Sequence, residues 1–103
     1  MEINYIKKEK YLLTEFEVLK SLKLSAEEKY FISYVLSWNN VGKKCCSRTP
    51  TIANFIGIPL SKMRRIVKKS IKTYDFLVSE YSKSDSNTLY IDKVKLNKFL
   101  NDK

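Results

Sequence analysis

Histidine is absent from the 103-residue chain. Its absence removes imidazole as a general base and as the commonest zinc ligand. Glycine and proline occur twice each, as Gly42, Gly57, Pro50 and Pro59. Two glycines cannot build a phosphate-cradling loop. No internal repeat, low-complexity tract or Pro/Gly-rich linker divides the chain, so one domain is expected over residues 1–103. Cysteine is confined to Cys45 and Cys46. Adjacent residues do not readily reach disulfide geometry and lack the spacing of a metal pair, so both are expected to be buried, reduced and structural. No apolar run approaches the ~18 residues that span a bilayer. The charged stretch from Met1 to Lys10 lacks the apolar core of a signal peptide. A cytoplasmic protein with no membrane partner, no cofactor and no metal is expected.

Acidic residues are missing from the middle of the chain. Between Lys29 and Tyr74 there is no Asp or Glu, while the segment holds Lys29, Lys43, Lys44, Arg48, Lys62, Arg64, Arg65, Lys68, Lys69 and Lys72. The formal net charge of +9 therefore originates in this one window. Such a concentration points to a polyanionic partner, with nucleic acid first. Lysine outnumbers arginine 17 to 3, as in genes from AT-rich genomes, so part of the lysine content is plain solvated surface. All three arginines fall inside the window.

What is present reads as helices, then a hairpin. Thr14 with Glu17 forms a capping box for a first helix, with Leu13 and Val18 as a hydrophobic staple and Phe16, Leu19 and Leu22 facing inward. Ser25 with Glu28 forms a second box, opening a helix with the apolar stripe Phe31, Ile32, Val35, Leu36 and Trp38; Gly42 suits its end. Cys45 to Ser47 reads as a short extended link. Thr49 is expected to cap the next helix, with Pro50 at its first position and Gly57 ending it. Pro59 opens a longer helix, to about Tyr74, with Met63, Ile66, Val67, Ser70, Ile71 and Tyr74 on its inner face and the cations on the other. Phe76 to Tyr81 and Thr88 to Ile91 have strand composition, joined by the polar Ser82 to Asn87 as a long hairpin tip. Asp92 is expected to cap a last helix with Leu96, Phe99 and Leu100 inward. The expected class is α+β, in the order helix, helix, short strand, helix, helix, β-hairpin, helix.

Ile52-Ala53, Ile56-Gly57-Ile58, Met63 and Ile66 resemble the helix-turn-helix pattern of DNA-binding proteins. Small Ala53 lets the two helices approach, Gly57 takes the turn, and Ile58, Met63 and Ile66 fill the wedge beneath. The hairpin that follows is similar to the wing of the winged-helix family. Pro59 stands where the pattern often has Ser, and Asp75 where it often has Gly. The resemblance implies that the helix from about Leu60 to Tyr74 enters a major groove of double-stranded DNA. Leu60, Ser61, Arg64 and Arg65 would then face base edges, with Lys62 beside them. Lys68, Lys69 and Lys72 would touch phosphates. Lys43, Lys44, Arg48, Thr49 and Thr51 would meet phosphate near the start of the preceding helix. Ser82, Lys83, Ser84, Ser86, Asn87 and Thr88 of the wing form a second contact set, ranked below the helix because Asp85 offsets Lys83. A homodimer is expected, since such proteins usually read repeated half-sites; the arm from Met1 to Leu13 and the last helix are the available interface material.

Organisation at this level resembles small plasmid or phage proteins acting at a transfer origin (relaxosome), in replication, or at a centromere in partition, where other proteins join a nucleoprotein complex. A one-domain transcriptional repressor would have the same sequence features. A protein–protein adaptor is a further class, disfavoured by the acid-free window unless the partner is acidic. RNA binding would need exposed aromatic pairs on a sheet, for which only Tyr81 and Tyr90 offer themselves. Enzymatic readings lack support: the Glu27-Glu28 pair is explained by helix capping, and no carboxylate cluster stands near a tyrosine to assist nucleolytic chemistry.

Overall fold

The computed structural model describes Val18, Ser21 and residues 23–101. The arm and almost all of the helix expected from Thr14 lie outside the described residues; Val18 is helical and fully buried. Four helices and one hairpin follow, as α1 (Ala26–Asn39), α2 (Thr49–Ile56), α3 (Leu60–Thr73), β1 (Leu77–Lys83), β2 (Ser86–Ile91) and α4 (Lys93–Asn101). The class is α+β.

Local signals set most boundaries. Ser25 and Glu28 close the reciprocal capping box of α1: the Glu28 N–H donates to Ser25 Oγ at 3.2 Å, and the Ser25 N–H to Glu28 Oε1 at 2.9 Å. Gly57 caps α2 at φ +88, a left-handed position that favours glycine. Asp92 accepts the Lys95 N–H at 3.2 Å at the start of α4. Thr49 departs from expectation. Arg48 is the N-cap of α2 and Pro50 lies one position further in. The Thr49 N–H and hydroxyl both point to the Asp85 carbonyl, at 2.9 and 3.3 Å, so its side chain does not cap its own helix.

One core unites the elements. Phe31, Ile32, Val35 and Leu36 of α1 meet Ile52 of α2, Met63, Ile66 and Val67 of α3, Phe76, Leu77, Leu89 and Ile91 of the hairpin, and Leu96 of α4. Tyr74 stacks on Phe76 at 5.2 Å, and Phe99 meets both rings. The α3 inner face follows the expected spacing, with Met63, Ile66, Val67 and Ser70 buried.

The hairpin differs from the long tip expected. The ladder runs out to Lys83↔Ser86, leaving only Ser84 and Asp85 as the turn, with a bulge between Ser79 and Tyr81. Ser84 takes φ +54, the left-handed first position that a tight primed turn requires. Ser82 donates to Asn87 Oδ1 at 2.6 Å, and Asn87 is buried, so polar side chains read as loop instead close the ladder. The expected short strand reduces to Cys45, which exchanges two backbone bonds with Leu89, at 2.8 and 2.9 Å. Cys45 is buried, as expected, and its burial pushes the thiol pKa up. Cys46 is exposed, because successive residues of an extended link face opposite sides.

Candidate nucleic-acid interface

Helix α3 turns three kinds of surface away from the core. Ser61, Arg65, Lys68 and Lys72 are exposed and repeat at four, three and four residues, so they form one outward stripe opposite Met63, Ile66 and Ser70. Among the described residues no ion pair involves Arg65, Lys68 or Lys72.

One flank of the stripe leans on α1. Lys62 Nζ lies 3.0 Å from Glu27 Oε2, and Lys69 Nζ lies 3.0 Å from Glu28 Oε2. The Glu28 side chain is only 5% exposed and also accepts the Tyr74 hydroxyl at 3.1 Å. Burial pushes the Glu28 carboxyl up. The Ser25 N–H, Lys69 and Tyr74 outweigh that and hold it below the usual carboxylate range. Burial, reinforced by the same contact with Glu28, raises the Tyr74 phenol to about 12. Lys62 and Lys69 thus share their charge with the first turn of α1.

The other flank leans on the hairpin. The Arg64 Nε–H donates to Asp85 Oδ1 at 3.1 Å and Nη2 to Asp85 Oδ2 at 2.8 Å. This is a side-on, bidentate pair. The guanidinium holds the Asp85 carboxyl below the usual range, and the carboxylate raises the arginine in turn. Asp85 therefore gathers three elements: α3 through its carboxylate, and the first residue of α2 and the hairpin turn through its backbone. A cleft of about 370 Å³ opens beside this junction, lined by Thr49, Arg64, Lys68, Ser82, Ser84 and Asp85 among others.

The remaining expected contact residues divide. Lys43, Arg48 and Thr51 are exposed around the start of α2, and Ser82, Lys83 and Ser84 are exposed at the hairpin tip. Leu60 is half-buried and packs against the core. Thr49, 2% exposed, has its polar groups committed to Asp85, and Asn87 is held inside the hairpin. Ser86 and Thr88 are half-buried, with Cys46 Sγ 3.9 Å from the Thr88 hydroxyl. Lys44 turns to the hairpin, 2.8 Å from Glu80 Oε1 and over the Tyr90 ring. Sequence reasoning reads Glu27 and Glu28 as capping residues and Asp85 as a counter-charge to Lys83, and passes over Glu80; it misses that all four pair with expected contact cations, Asp85 with Arg64 instead of Lys83. They lie 21 to 41 positions from their cationic partners, beyond any local periodicity.

Comparison with known proteins finds no matching family model, no matching curated protein and no matching solved structure. Among the described residues, no helix is long and apolar enough to cross a membrane.

Proposed function

We propose that the protein is a winged helix-turn-helix protein that binds double-stranded DNA and performs no catalysis itself. The observation behind this is the outward stripe of α3: Ser61, Arg65, Lys68 and Lys72 without a described carboxylate partner, flanked by a hairpin tied to the same helix. A helix of 14 residues presenting one cationic face fits a major groove. The hairpin tip, with Ser82, Lys83 and Ser84, would lie against the flanking backbone. Lys43, Arg48 and Thr51 would meet phosphates from the start of α2. Lys68 and Lys72 would position the helix, and Arg65 would reach base edges.

The resemblance to small plasmid and phage proteins suggests service as an accessory factor at a transfer origin, centromere or replication origin, as a homodimer on repeated half-sites. Footprinting on the DNA around its own gene would identify the site.

A mobility-shift titration against salt tests the binding itself. The logarithm of the association constant should fall linearly with that of salt concentration, by about 0.9 per neutralised phosphate. A flat response would remove nucleic acid as the partner and favour a protein partner instead.

A further inference from the structure

We propose that Asp85 presents Arg64 end-on to a guanine, making Arg64 a base-reading residue and Asp85 its positioning residue; this rests on the DNA-binding function proposed above. A guanidinium has five N–H donors. Asp85 takes the Nε–H and one Nη2–H, which together make up the side edge of the fork. The end edge, one N–H each from Nη1 and Nη2, stays available, and the Arg64 side chain is 50% exposed. Two parallel donors are what guanine O6 and N7 accept in the major groove.

Stiffness supports the assignment. The Asp85 carboxylate is only 16% exposed, and its backbone carbonyl is held by the Thr49 N–H and hydroxyl. A free arginine must give up several rotors on binding; one clamped to a fixed carboxylate has already done so. Charge supports it too. The pair sums to zero, so it adds little to phosphate attraction and releases few counterions. A tip residue serving only affinity would not place a carboxylate there. One serving orientation would.

The test is selection from randomised duplexes by the wild type, Arg64→Lys, Arg64→Ala, Asp85→Ala and the doubly alanine-substituted protein. Arg64 Nε–H exchange with water, followed by NMR without DNA, reports on the clamp independently. The wild type should enrich guanine at one position and show a slowed Nε–H. Arg64→Lys, which keeps the charge but not the fork, and Asp85→Ala should each lose that preference by roughly 5- to 150-fold. Asp85→Ala should bind scrambled duplexes as well or better, and the double variant should discriminate no worse than Arg64→Ala. If Asp85→Ala tightens binding to every sequence with selection unchanged, Asp85 is only a counter-ion and the inference fails. Duplex binding without Arg64-dependent guanine enrichment also overturns it, while leaving the DNA-binding proposal standing. Failure of the wild type to retain any duplex at low salt sinks both. Should Asp85→Ala not fold, Asp85→Asn keeps a turn-forming residue without the charge, and the same outcomes apply to it.

Discussion

Ser84 stands in a left-handed conformation that L-residues other than Asn and Asp rarely adopt, at φ +54. A side chain there costs about 1 kcal/mol relative to glycine. Ser84→Gly should therefore raise stability by about 0.5–1 kcal/mol, and Ser84→Val should lower it; thermal denaturation measures both. Glu28 sets a second residue-scale expectation. Its folded pKa is depressed, so its contribution is present above the ordinary value of 4.5 and lost as pH falls below it. Tyr74 works at the other end. Its folded pKa is raised from 10.0 to about 12, so its contribution is full below 10.0 and is lost as pH rises through that interval. Urea unfolding as a function of pH should show both limbs. Glu28→Gln should flatten the acid limb at a cost of about 1–2 kcal/mol at neutral pH, and Tyr74→Phe should flatten the alkaline one. An unchanged acid limb in Glu28→Gln would show that the cluster at the start of α1 does not govern acid unfolding.

Helix α3 is a sorting device for charge. Of its cations, Lys62 and Lys69 are drawn to α1 and Arg64 to the hairpin, while Arg65, Lys68 and Lys72 have no ion-pair partner among the described residues. Alanine at Lys68 or Lys72 should each reduce the salt slope of DNA binding by about 0.9. Alanine at Lys62 or Lys69 should change it less. Arg65→Ala should cost about 1–3 kcal/mol on a specific site while circular dichroism stays native, since the residue is exposed and opposite the core face. Equal slopes for all four lysine variants would show that the pairs with Glu27 and Glu28 dissolve on binding. The inner face of α3, the box at Ser25 and Glu28, the Gly57 stop and the Asp92 cap were legible in the sequence, because each is written within a few residues. The sorting was not. The polar run from Ser82 to Asn87 reads as a loop by composition, and without Asn-Gly or Gly at its centre nothing local says that the ladder continues to Lys83 and Ser86. Thr49 looks like a cap from its neighbours alone; its actual partner is 36 residues away.

At the scale of the whole molecule, one residue pair adds a long-range backbone link to the shared core. A two-stranded hairpin is marginal in water. Here β2 is held on its far side by Cys45, through two backbone bonds to Leu89, and both residues are fully buried. Between them in the chain lie all of α2, α3 and β1. Closing a loop of that length costs on the order of 3 kcal/mol of chain entropy, returned only once the enclosed helices have packed. The last step of folding should therefore be the seating of Cys45 on Leu89, and the amides of these two residues should exchange with deuterium only when the entire domain opens. A hairpin attached merely through its turn would peel off by itself and exchange early. Fastened at Cys45 on one edge and by Asp85 at its tip, it has no independent exit. The protein should come apart in one cooperative step, and a protease that nicks the exposed turn at Ser84 should leave both strands in place.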